Sequence, residues 1–130
     1  MIGILLITHG SLGESLLQNA CHILKKRPPL LAQLGVTPED EPELVLKLAE
    51  KMLALVDDGD GVLVMTDVYG ATPANIAGKL LEPGRVEGVA GASLPMLLRA
   101  LNYREQGMET LMLKALSGAR DGAIDMLKGD

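Results

Sequence analysis

The feature that most limits the fold of this chain is an alternation. Short, nearly unbroken apolar runs occur at Ile2–Ile7, Leu30–Leu34, Gly61–Thr66 (GVLVMT) and Val86–Ala90. Runs this short and this apolar read as strands buried on both faces. Stretches with helical spacing separate them. Leu16, Leu17, Ala20, Ile23 and Leu24 define the first. Ser11-Leu12-Gly13-Glu14 has the form of a capping box, which predicts a helix from near Leu12 that ends by Arg27, before Pro28-Pro29. Leu44, Leu48, Met52 and Leu55 trace a second helix to about Val56. Pro73 suits the first residue of a third, running to about Leu81. Ser93 is placed to cap a helix from Leu94 through Leu101, and another is predicted from Met108 to about Ala119. Gly122–Lys128 suits either a short strand or a frayed helix end.

Strands alternating with helices imply a mostly parallel sheet with right-handed crossovers. The simplest arrangement is an α/β, doubly wound, flavodoxin-like sheet of order 2-1-3-4, with the C-terminal segment as a candidate edge strand. The 130 residues suit one domain, 1–130. Phe and Trp are absent, so the core must be built from Leu, Val, Ile, Ala and seven Met. The net charge of −5 argues against a nucleic-acid partner, which needs clustered Lys and Arg. The one basic cluster, Lys25-Lys26-Arg27, falls at a helix end, where cations complement the dipole. A single cysteine, Cys21, excludes an internal disulfide framework and reads as a small buried hydrophobe. No stretch reaches the ~18 uninterrupted apolar residues of a membrane span, and the start lacks a secretory signal. A cytoplasmic protein without direct membrane insertion is expected.

In a sheet of this order, strands 1 and 3 are neighbours whose connections leave in opposite directions. Ligands bind in the crevice at their carboxyl ends. His9 follows strand 1 and Asp67 follows strand 3, so the two should face each other across that crevice. Neutral imidazole is a nucleophile through one nitrogen while the other carries a proton. A carboxylate that accepts this proton's hydrogen bond fixes the tautomer and balances the charge that develops on attack. Two helix starts, Gly10-Ser11 and Gly70-Ala71-Thr72-Pro73, should present free backbone N–H groups to an anion in the same crevice. The Thr72 hydroxyl suits either a cap or a ligand contact. Tyr69 reads as a partly exposed wall and Asn75 as a first-turn residue. His22 reads as structural or solvent-facing. A nucleophilic histidine, an orienting aspartate and two anion-binding turns point to phosphoryl transfer through a phosphohistidine. No phosphate loop, GxGxxG turn, GxSxG elbow or metal-spaced Cys/His set is present, so the phosphate is expected on another protein. No cofactor or metal is called for.

The segments ITHG at 7–10, GVLVMTDVYGATPANIAGKL at 61–80 and GVAGASLPMLLRAL at 88–101 resemble the IIA component of the mannose/fructose-type phosphotransferase system (PTS). The likeness runs through nearly the whole chain. It implies a cytoplasmic homodimer of flavodoxin-like fold. It implies that HPr, the histidine-containing phosphocarrier, phosphorylates His9 at Nε2, and that the group passes to a IIB component in sugar uptake. Asp67 would be the hydrogen-bond partner of His9. Ala71, through its N–H, and Thr72 would contact the phosphate. Tyr69 stands where mannose-specific relatives have Trp, and Ala71 where they have Gly. A final strand can be exchanged between partners in this family; here only 122–130 is available for it. No IIB segment follows, so the acceptor is expected on a separate chain. Both carriers must reach His9, and Leu12, Val68, Tyr69, Leu94 and Met96 are the apolar candidates for an exposed rim.

Two other readings share these residues. One is the phosphotransfer subunit of dihydroxyacetone kinase, although its histidine turn lacks the Thr-His-Gly form. The other is a non-catalytic regulator whose partners read its phosphorylation state.

Overall fold

A computed structural model describes residues 1–130. The elements follow in the order β1 (Gly3–His9), α1 (Leu12–Leu24), β2 (Leu31–Val36), α2 (Pro42–Val56), β3 (Val62–Thr66), α3 (Thr72–Gly78), β4 (Val86–Ala90), α4 (Leu94–Leu101) and α5 (Met108–Asp121). The strands form one sheet of order β2-β1-β3-β4, and every pair is parallel. This is the order expected from the alternation.

The period of two along β1 explains why its sequence is wholly apolar. Ile4 and Leu6 point to a core shared with α1, α4 and α5, where Leu17, Met96, Leu97 and Leu111 are buried. Leu5 and Ile7 point the other way, to Val45 and Ala49 of α2 and Ile76 and Ala77 of α3. A strand covered on both sides has no polar face to offer.

Several boundaries differ from the sequence reading, each for a local reason. The capping box does not form: Ser11 has φ −97° and ψ 9°, not the extended N-cap backbone, and its side chain caps nothing. The Thr8 hydroxyl accepts the Gly13 N–H instead, at 2.7 Å. Helix α1 stops at Leu24, because Lys25 takes a left-handed conformation (φ 57°) ahead of the prolines. Strand β2 lies one residue later at its start and two at its end than expected, with Leu30 also at positive φ. The N-cap of α3 is Ala71, so Thr72 is the first helical residue and Pro73 the second. That helix ends at Gly78, where i→i−3 bonds from Lys79, Leu80 and Leu81 tighten the last turn. Cys21 is only partly buried.

No strand follows α5. Residues 122–130 are exposed and folded on themselves. The Asp125 carboxylate accepts the Leu127 N–H at 3.0 Å, and the Asp125 carbonyl accepts the Gly129 N–H at 2.7 Å. With no neighbouring strand to pair with, the backbone satisfies itself locally, in a turn.

Candidate functional site

The pairing of β1 with β3 carries Ile7 opposite Thr66. His9 therefore ends β1 beside the residue that follows β3, which is Asp67. The sheet order makes this meeting. Oδ2 of Asp67 accepts two bonds from His9, one from its backbone N–H at 3.0 Å and one from ring Nδ1 at 2.8 Å. Its other oxygen accepts the Val68 N–H at 3.0 Å. The Asp67 side chain is only 8% exposed, whereas that of His9 is 53% exposed. Burial pushes the Asp67 carboxyl up, but the His9 N–H and ring outweigh it and hold the group below its ordinary value. Asp67 is thus ionised near neutral pH and can only accept hydrogen bonds, so Nδ1 carries the shared proton. Nε2, on the far side of the ring, makes no hydrogen bond within the protein.

The turn after His9 is built from glycine geometry. Gly10 adopts φ 51°, and its N–H donates to the Val36 carbonyl on β2 at 2.9 Å. Its own carbonyl lies so close to Gly35 that a Cβ there would sit 2.1 Å away. Gly10 accordingly shapes the turn, and its N–H is not free for an anion. Ser11 follows, exposed, with an uncommitted hydroxyl.

Asp67 is fastened from behind. The β4–α4 loop donates the Gly91 N–H to the Asp67 carbonyl (3.1 Å) and the Ala92 N–H to the Thr66 carbonyl (3.0 Å). Ser93 then caps α4 by accepting the Met96 N–H at 3.2 Å, as its position in the sequence suggests. On the α3 side, Gly70 takes φ 86°, and no side chain caps the first turn of α3. The Thr72 hydroxyl is exposed there and serves no cap.

Around this centre Tyr69 is 88% exposed, standing out from the loop as a projection where a wall was expected. Leu12 and Val68 are also exposed, and Leu94 is partly buried. Met96 is the exception to the expected rim: it is fully buried in the core beneath α4. His22 is exposed on α1. No three His, Cys, Asp or Glu side chains converge to hold a metal ion. A groove of about 580 Å³ runs between α3 and β4 past Thr66, Tyr69, Gly70 and Asn75; His9 and Asp67 stand outside it. Sequence reasoning passed over Thr8, Gly13 and Gly35. Only pairing and packing reveal them, since a threonine in an apolar run and two glycines carry no motif.

The molecule is thus a doubly wound α/β protein with a histidine–aspartate pair at its topological switch point. Residues 3–117 match the family described as EIIA-man, the PTS system fructose IIA component. The chain is 31% identical over 124 residues to the PTS system fructose-specific EIIA component of Bacillus subtilis, covering 90% of this chain and 82% of that protein. It is 28% identical over 124 residues to the PTS system mannose-specific EIIAB component of Escherichia coli, covering 93% of this chain but 38% of the length of that protein. Among solved structures, phosphotransferase system component EIIA from Streptococcus agalactiae superimposes with a TM-score of 0.86 at 21% identity, covering 98% of this chain and 99% of that one. The mannose/sorbose-specific IIA subunit from Enterococcus faecalis gives 0.83 at 22% identity, covering 95% and 93%. Both share the fold. The chain belongs to the mannose/fructose-type IIA family of the sugar phosphotransferase system. No helix in it is long and apolar enough to cross a membrane.

Proposed function

We propose that the protein is a phosphohistidine carrier that accepts a phosphoryl group from HPr on His9 and passes it to a IIB component during sugar uptake. The observation that carries this reading is the 2.8 Å contact between His9 Nδ1 and Asp67, made by a ring that is otherwise open to solvent. The Nε2 lone pair attacks the phosphorus of phospho-HPr. The P–N bond to the donor imidazole breaks, and its electron pair stays on the donor nitrogen. The proton on His9 Nδ1 remains in place, and the Asp67 carboxylate offsets the positive charge that the ring gains. Transfer onward repeats the step, with the IIB nucleophile attacking and His9 leaving.

The phosphoryl oxygens meet the turn that Gly10 shapes with Ser11, and the Gly70-Ala71-Thr72 loop with its free backbone N–H groups and the Thr72 hydroxyl. Leu12, Val68 and Tyr69 form the landing surface. A transient complex there suits a modest interface, below ~1,200 Å² in total. The reading puts the protein in the cytoplasm, as a homodimer, where HPr and IIB can reach it.

Incubation with phosphoenolpyruvate, the first enzyme of the system and HPr should label the protein with acid-labile, base-stable phosphate. Mass spectrometry should locate the label on His9, and His9→Ala should carry none. A label elsewhere, or none on the wild type, refutes the reading. A sugar-uptake assay then separates transport from a purely regulatory role, which would change partners without an uptake defect.

A further inference from the structure

Beneath the His9 turn lies a residue that takes no part in the chemistry proposed above. Thr8 is fully buried (0% exposed), on the same face of β1 as Leu6, which packs towards α1. A hydroxyl in an apolar core is unfavourable unless it is hydrogen-bonded. This one accepts the N–H of Gly13 at 2.7 Å, a donor of the first helical turn that has no intrahelical partner. It performs the capping that Ser11 does not.

Gly13 is the complementary half. A Cβ on it would lie 2.8 Å from Thr8 Oγ1 and 3.4 Å from Leu6 Cβ. Helix α1 therefore seats directly on the end of β1 because residue 13 has no side chain. The bond closes a loop whose members include His9 and Gly10. Three backbone N–H groups pin that loop, those of His9 to Asp67, Gly10 to Val36 and Gly13 to Thr8, beside the ring bond from His9 to Asp67. The N–H groups of Ser11 and Leu12 make no bond within the protein and remain available at the helix start.

Building on the phosphocarrier reading, we propose that Thr8 is a positioning residue for phosphoryl transfer. Its bond to Gly13 sets where the first turn of α1 stands relative to His9 Nε2. It thereby sets where the free N–H groups of Ser11 and Leu12 meet the phosphoryl oxygens. Thr8 touches neither the phosphoryl group nor the imidazole.

The test compares Thr8→Val, which keeps the shape and removes the acceptor, with Thr8→Ser, which keeps the acceptor and removes a methyl. Two donors are used: phospho-HPr, and potassium phosphoramidate, which needs no docking surface. Thr8→Val should lower the saturating rate of His9 phosphorylation about tenfold with both donors. The KM for HPr should stay unchanged, and the Gly13 amide should lose its hydrogen-exchange protection. Thr8→Ser should return the rate to within about twofold of wild type, as a retained hydroxyl predicts. Gly13→Ala keeps the hydroxyl and pushes α1 outward, so it should repeat the loss of rate; it decides the matter should Thr8→Val fail to fold. An unchanged rate in the valine variant overturns the proposal. So does a serine variant as slow as the valine one, which would mean packing alone, or an effect confined to KM. Wild-type protein labelled by phosphoramidate but not by HPr overturns the partner reading, and the phosphoramidate rates then judge Thr8. No label on His9 from either donor overturns both.

Discussion

Replacing Asp67 with asparagine tests the orientation of the nucleophile with little change of shape. The carboxylate accepts three hydrogen bonds in the native site, two on Oδ2 from His9 and one on Oδ1 from Val68. An amide has one oxygen and one NH₂, so it cannot accept on both sides. If its oxygen faces His9, its NH₂ meets the Val68 N–H, donor against donor. If it is reversed, the NH₂ confronts the His9 N–H and offers a donor to Nδ1. That favours the tautomer with the proton on Nε2, the nitrogen that must attack. Hydrogen bonds to a charged group contribute about 1.5–3 kcal/mol. Losing that interaction as positive charge develops on the ring should slow transfer about tenfold to a hundredfold. Rapid-quench measurement of phosphate moving from phospho-HPr to His9 reads the rate directly, and circular dichroism checks that the variant is folded. The same variant should change the response to acid. The native carboxyl is held below its unfolded value of 3.8 by the His9 bonds, against the opposing effect of burial. Its contribution to stability is therefore complete above pH ~4 and is lost as pH falls through the lower folded value. Wild type should lose stability steeply in that acid window, and Asp67→Asn less so. A variant that transfers phosphate at the wild-type rate would refute the orienting role.

Three further outcomes follow from the geometry. Tyr69→Ala should raise the KM for HPr about fivefold to tenfold, as an exposed aromatic anchor would, with Tm nearly unchanged; an unchanged KM in steady-state transfer removes Tyr69 from the landing surface. Gly35→Ala should cost about 1–3 kcal/mol in urea unfolding and slow His9 labelling, because the new Cβ meets the Gly10 carbonyl and must displace the turn; full stability would show that the strand ends are more pliable than their packing implies. Arg104→Met should cost about 2–3 kcal/mol, lowering Tm by roughly 10 °C, since the buried guanidinium donates to the Ile2 carbonyl at 2.8 Å and the Leu30 carbonyl at 2.7 Å. Those bonds lie at the pole of the sheet opposite His9, so the phosphorylation rate at 25 °C should not change, and a slowed rate would mean that the two ends are coupled.

What the sequence disclosed and what it withheld divide along one physical line. Strand and helix periods are local, and they identified the elements and the sheet order. That order alone brought His9 and Asp67 together, because the switch point is a consequence of topology. Helix starts are also local in principle, yet of the three hydroxyls considered for caps, Ser11, Thr72 and Ser93, only one serves as a cap. At Ser93 the hydroxyl on an extended backbone caps as its position suggests. At Ser11 the left-handed Gly10 turns the chain so that a hydroxyl from the preceding strand reaches Gly13 first. At Thr72 the helix begins one residue earlier than the proline signal implies, and the hydroxyl is left over. The last two of these starts lie in loops beside His9, where the N–H groups of Ser11 and Leu12 and of Gly70 and Ala71 make no bond within the protein. On the phosphocarrier reading proposed above, those donors are what the phosphoryl group would meet, and the Thr8–Gly13 bond is what would hold one of the two turns in place.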